Sequence, residues 1–105
     1  MLSSMPKVKV ESPSKHSAED TFKRIRTMLE SDRDLRKMDT NYACEFNDKT
    51  FTGSAKGSKF EADMRVTSKG SGSLVEIEVN LPLLLTPVKG IVQSTLQKKL
   101  EAVLA

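Results

Sequence analysis

The chain has 105 residues, 37% hydrophobic and 30% charged, and its 17 Lys and Arg against 14 Asp and Glu leave a formal net charge of +3. That is one domain's worth of chain with material for one core, and a large ligand cavity enclosed by a single copy is hard to fit. One cysteine, Cys44, and one histidine, His16, exclude an intrachain disulfide and leave the usual zinc chemistries short of ligands.

Residues 1–6 read as a flexible tail without the apolar stretch of a signal peptide, and residues 7–105 as a single α+β domain. Lys7-Val8-Lys9-Val10-Glu11 alternates polar and apolar residues and predicts a short strand, broken by Ser12-Pro13-Ser14. Ser17 is a good helix N-cap, with Asp20 three residues on. Ala18, Phe22, Ile25, Met28 and Leu29 then recur at helical spacing. Leu35 and Met38 extend that stripe after a break at residues 31–34, so one long helix and a helix followed by a short turn both fit.

Tyr42, Cys44 and Phe46 alternate with Ala43 and Glu45 in a second strand, and Asn47-Asp48-Lys49 is a hairpin turn. Thr50 to Ala55 returns with Phe51, Gly53 and Ala55 on one face, where the small residues leave room for something bulky. After a turn at Lys56-Gly57-Ser58, residues Phe60, Ala62, Met64 and Val66 alternate with Glu61, Asp63, Arg65 and Thr67. That is a strand with one wet face. Residues 68–73 form a Ser/Gly hairpin loop, and Val75, Ile77, Val79 and Leu81 alternate with Glu76, Glu78 and Asn80 in the last strand. The final helix is expected to start with Thr86 as N-cap and Pro87 at the first helical position. Val88, Ile91, Val92, Thr95, Leu96, Leu100, Val103 and Leu104 are expected to form one broad apolar face, opposite Gln93, Gln97, Lys98 and Glu101. Gly90, one turn in, implies a close approach to the sheet or to a partner, because glycine weakens a helix interior. The order β-α-β-β-β-β-α predicts an α+β fold, an antiparallel sheet of about five strands covered on one face by two amphipathic helices.

The pI near 9.1 invites a nucleic-acid reading, which the charge distribution does not support. Residues 1–40 carry nine Lys/Arg and seven Asp/Glu, and residues 41–105 carry eight and seven. The densest basic stretch, Lys23, Arg24, Arg26, Arg33, Arg36 and Lys37, is interleaved with Glu19, Asp20, Glu30, Asp32 and Asp34. On a helix that pattern is a solvated face of i,i+4 pairs. No aromatic residues alternate with basic ones as a stacking platform requires.

No catalytic, cofactor-binding or metal-ligating set emerges. His16 precedes a helix cap with no recognisable nucleophile beside it. Cys44 falls on the apolar side of its strand and reads as a buried, inert thiol. The carboxylate pairs Glu61/Asp63 and Glu76/Glu78 share strand faces and read as the solvent side of the sheet. Gly70-Ser71-Gly72 leads into a strand, so it lacks the helix dipole of a phosphate loop. With no apolar run near the ~20 residues that span a bilayer, the expectation is a soluble cytoplasmic protein without a transmembrane segment.

Leu81-Pro82-Leu83-Leu84-Leu85 is more informative, because connections between elements are normally polar and exposed. Either these leucines plug the end of the protein's own core, or they form a surface for self-association or an apolar ligand. Consecutive Leu83, Leu84 and Leu85 cannot all point into one core in a regular conformation. At least one of them should face outward beside Val88, and these four residues are the candidate interaction site.

Residues 53–60 (Gly53-Ser54-Ala55-Lys56-Gly57-Ser58-Lys59-Phe60), the run from Val75 through Leu81-Pro82-Leu83-Leu84-Leu85-Thr86-Pro87-Val88-Lys89-Gly90-Ile91-Val92, and the ending Leu100-Glu101-Ala102-Val103-Leu104-Ala105 resemble the small bacterial polyhydroxyalkanoic acid system proteins. Where many members carry a Trp before the second strand, this chain has Tyr42. The resemblance implies no catalytic residues and no cofactor. It implies a shortened helix-grip, START-like architecture, in which full-length domains enclose an apolar cavity under a long C-terminal helix. About five strands leave the sheet open, so a shared cavity or a homodimer fits better than a private cavity.

The leading expectation is a non-enzymatic accessory or binding protein, associated with polyhydroxyalkanoate storage. Its partners would be a second copy of itself and an apolar small molecule or polyester granule surface. A helix-grip enzyme acting on a lipid-like substrate and an anionic-partner module on the basic side of the first helix are the rivals.

Overall fold

The structure, a computed structural model, describes residues 7–33, 37, 41–57, 61–81 and 87–105. Its elements are β1 (Lys7–Ser14), α1 (Ala18–Ser31), β2 (Ala43–Asn47), β3 (Thr52–Lys56), β4 (Glu61–Lys69), β5 (Gly72–Asn80) and α2 (Lys89–Leu104). The five strands form one sheet in the order β1-β5-β4-β3-β2, every neighbour antiparallel. The element order along the chain is the β-α-β-β-β-β-α that the sequence predicts.

The strict alternation fixes which sheet face is inside, because a period of two sends every second side chain the same way. Val8 and Val10 of β1 stand opposite Val79 and Ile77 of β5, and Ile77 and Val75 stand opposite Met64 and Val66 of β4. All of these are buried. The other face is polar. There Lys7 reaches Glu78 at 3.2 Å and Lys9 reaches Glu76 at 3.7 Å.

Three boundaries differ from expectation. Strand β1 runs through Pro13 to Ser14 rather than ending at Glu11. It lies at the sheet edge, and Pro13 occupies a position whose N–H would point away from the sheet, where proline costs no ladder hydrogen bond. The Ser/Gly loop contracts to a two-residue turn at Gly70 and Ser71, because β4 and β5 extend to Lys69 and from Gly72. In the β2–β3 hairpin, Thr50 and Phe51 belong to the turn and the return strand starts at Thr52. Asn47 Oδ1 accepts the N–H groups of Lys49 (2.9 Å) and Thr50 (3.2 Å) and closes that turn.

Helix α1 starts as the sequence implies, with Ser17 Oγ accepting the Asp20 N–H at 3.1 Å. It lies over β2 to β5 and buries Ala18, Thr21, Phe22, Ile25 and Leu29. The Phe22 ring meets Phe46 at 6.0 Å, edge to face, and Phe51 at 5.6 Å. The room left by small residues on β3 is taken by Phe46: a Cβ on Gly53 would stand 2.6 Å from the Phe46 ring. The chain ends α1 at Ser31, and the expected continuation through Leu35 and Met38 lies outside the described residues. Helix α2 lies along β1 and against α1, burying Leu96, Leu100 and Leu104. Lys99 Nζ meets the largely buried carboxylate of Asp32 at 2.9 Å and ties the end of α1 to α2. Residues 1–6, the expected tail, also lie outside the described residues.

Candidate functional site

The rotation of α2 about its own axis decides what this protein shows to its surroundings. Its C-terminal half faces inward, with Leu100 wholly buried. Gln93 donates from Nε2 to the Lys9 carbonyl (3.2 Å) and Gln97 to the Glu11 carbonyl (3.3 Å), one helical turn apart on the side that meets β1. Ile91 stands nine residues before Leu100. At about 100° per residue that separation is two and a half turns, so the two side chains point in opposite directions. Ile91 is accordingly 66% exposed and Val88 37%. The single broad apolar face expected for this helix is therefore two faces. Leu96, Leu100 and Leu104 make the buried one, with Val92 and Val103 partly buried beside it. Val88 and Ile91 make the exposed one, and Thr95 is exposed as well.

Of the four candidate interaction residues, Val88 is exposed at the start of α2. Leu83, Leu84 and Leu85 lie outside the described residues, as does the expected N-cap Thr86. Pro87 and Val88 form a 3₁₀ turn and the α-helix begins at Lys89, with no side-chain cap at Val88. Leu81, just before the segment, is buried in the core. Gly90 does not approach the sheet: a Cβ there would meet nothing within 4 Å. The close contact expected of this glycine is therefore not made with the described residues.

The polar groups that could do chemistry are elsewhere, where the end of β1, the start of α1 and the start of β5 converge. Ser14 Oγ and Ser73 Oγ lie 2.7 and 2.8 Å from Thr21 Oγ1, and the carbonyl of His16 accepts from Ser73 Oγ at 3.0 Å. All three hydroxyl residues are buried. A Cβ on Gly72 would collide with the Ser14 carbonyl, so the two strands meet there without room for a side chain. Sequence reading missed this cluster. Its signal is the continuation of the Val8, Val10 alternation into Ser12 and Ser14, hidden by Pro13. His16 joins the cluster through its backbone: its N–H donates to Ser14 Oγ at 3.1 Å. Its ring turns instead to Asp20, with Nδ1 3.4 Å from Oδ2, so no hydroxyl meets the imidazole as a nucleophile would. The cluster satisfies buried polar groups at a three-element junction.

Cys44 is half-buried on the inner side of β2, 3.9 Å from the Leu29 carbonyl. Among the described residues no group of three or more His, Cys, Asp or Glu is placed to hold a metal ion. The outer face of the sheet is hollowed into an open trough of about 730 Å³ whose lining includes Lys9, Asn47, Ser54, Asp63, Arg65 and Glu78. Its mixed charges are those of a solvated sheet face, not of an apolar pocket. The basic side of α1 is paired throughout its described length. Lys23 meets Glu19 at 3.4 Å, Arg24 meets Asp20 at 3.0 Å, and Arg26 meets Glu30 at 3.7 Å and Asp48 at 3.0 Å. Among the described residues no helix is long and apolar enough to cross a membrane.

No family model matches the chain, and no curated protein matches it. Solved structures do. The protein XoxI from Bacillus cereus is 12% identical with a TM-score of 0.65, over 95% of this chain and 94% of that one. Ara h 8.0201 is 15% identical with a TM-score of 0.62, over 94% of each chain. Truncated norcoclaurine synthase from Thalictrum flavum is 9% identical with a TM-score of 0.55, over 99% of this chain and 94% of that one. None of these ties the chain to the polyhydroxyalkanoic acid system. Together they give the five-stranded sheet and two helices a helix-grip, Bet v 1-like fold.

Proposed function

We propose that this protein is a non-enzymatic accessory protein that sits on an apolar surface through the start of α2, and that it self-associates. The observation that carries this reading is the exposure of Ile91, two-thirds open to solvent next to Val88. In sequence the pair follows Leu83-Leu84-Leu85 after Thr86-Pro87, so a segment rich in large apolar residues runs into an exposed helix turn. A contiguous apolar patch on a small domain marks a contact site. The resemblance to the polyhydroxyalkanoic acid system proteins supports a polyester storage granule as that surface, and the polyester is itself apolar. The helix-grip neighbours support a scaffold suited to hydrophobic ligands.

Cosedimentation tests this reading. Purified protein is mixed with amorphous poly(3-hydroxybutyrate) particles, or with phosphatidylcholine vesicles, and pelleted at low and high salt. The expected result is binding to the polyester that persists at high salt, since apolar contact is not screened. Protein left in the supernatant with both surfaces would overturn the proposal.

A further inference from the structure

The two helices begin in opposite ways. The first turn of α1 is held by capping, by charge and by packing. Ser17 Oγ accepts the Asp20 N–H, Glu19 and Asp20 place negative charge where the helix dipole favours it, and Ala18, Thr21 and Phe22 are buried. The first turn of α2, Lys89 to Val92, has little of this. No side-chain hydrogen bond caps it at Val88, and no acid stands in it. Lys89 instead puts a cation at the end where the dipole disfavours one. Gly90 is a poor helix former, and its place is open: a Cβ there would meet nothing within 4 Å among the described residues. Ile91 is two-thirds exposed. What holds this half of the helix to the fold is Val92, partly buried, and the exposed side-chain hydrogen bond from Gln93 to the Lys9 carbonyl. The first buried residue of α2 is Leu96.

A short helical segment is stable in water only where packing, capping or propensity supports it, and regions with few buried contacts open locally while the rest of a fold stays intact. We infer that Lys89 to Thr95, the part of α2 before Leu96, is a local unit that opens and closes on an otherwise intact fold, and that contact with an apolar surface closes it. The closing step rests on the contact proposed above. Val88 and Ile91 are three residues apart, so in a helical turn their side chains point within about 60° of each other. In an extended chain an odd spacing sends them to opposite sides. Only the closed turn therefore offers both to one flat surface. The surface binds the closed form better than the open one, and that difference in affinity is what shifts the population. Opening also releases the Lys9 carbonyl from Gln93, while Gln97 lies beyond the unit and keeps the rest of α2 on the Glu11 carbonyl.

The test is amide hydrogen exchange of the full chain, free and adsorbed, each amide referred to its unstructured rate. The Val92, Gln93 and Ser94 amides donate to the carbonyls four residues earlier, and Thr21 and Phe22 hold the corresponding positions in α1. In the free protein the three α2 amides are expected to exchange at least about tenfold faster than those of Thr21, Phe22 and Leu100. Gly90→Ala, which fits open space, should slow them about twofold to fivefold through helix propensity, and Gln93→Ala should speed the Val92 and Ser94 amides. Exchange at Leu100 should not change in either variant. On poly(3-hydroxybutyrate) particles the three wild-type amides should slow at least about tenfold. A free protein whose α2 start is as protected as Leu100 overturns the local opening, and adsorbed chains whose α2 start exchanges as fast as in the free protein overturn the closing. Protein that does not adsorb at all removes the contact reading and the closing step with it, and the comparison within the free protein still decides whether the unit opens.

Discussion

The two halves of α2 contain similar residues and do opposite things. From Leu96 onward, leucines at every fourth position close the core, and Leu100 has no exposed surface. Before Leu96, Val88 and Ile91 face solvent, and a Cβ on Gly90 would meet nothing within 4 Å among the described residues. A continuous amphipathic helix would bury both halves alike. The first half turns Val88 and Ile91 away from the sheet, and of its apolar side chains Val92 packs against the core.

Substitutions in each half should separate the two roles. The largest effect belongs to Leu100→Ala, which empties a fully buried position and should cost about 2–5 kcal/mol, read as a lowered denaturation midpoint in urea. An unchanged midpoint would mean that the second half is no more buried than the first. Next comes the polar junction that anchors α1 to the sheet. Thr21→Val keeps the shape of a wholly buried side chain but removes the hydroxyl shared by Ser14 and Ser73, leaving each only its His16 backbone partner, and should cost about 1–2 kcal/mol in the same assay. In the first half, Gly90→Ala fits open space and should raise stability by a few tenths to about 1 kcal/mol from helix propensity alone. A destabilised Gly90→Ala would show that the helix start is packed against something. The smallest effect is expected for Lys23→Ala with Arg24→Ala, surface cations held by i,i+4 carboxylates, where stability should stay within about 0.5 kcal/mol and the circular dichroism spectrum should not change.

The order of elements along the chain was legible from their boundaries, and the inner face of the sheet because a period of two leaves no choice once Val8, Met64 and Ile77 must be inside. Helix α1 was legible for a similar reason, with Ser17 marking its start. Other features depend on neighbours that a linear reading does not show. Pro13 looks like a strand breaker until β1 is known to be an edge with its odd positions facing out. The three-hydroxyl junction joins residues up to 59 positions apart in the chain, Ser14 to Ser73, and none of them has an unusual local pattern. On sequence alone Ile91 groups with Leu100, because both are apolar at near-helical spacing. Their nine-residue separation places them on opposite sides, and only the docking of Gln93 and Gln97 on β1 shows which side is in.

The most direct test of the account is the adsorption of Ile91→Lys to poly(3-hydroxybutyrate) particles, compared with wild type at equal concentration. Ile91→Lys is expected to keep the wild-type urea midpoint, within about 0.5 kcal/mol, and no longer to pellet with the polyester. A variant that unfolds would place Ile91 in the core after all, and one that adsorbs as the wild type does would show that the exposed turn of α2 is not the contact surface.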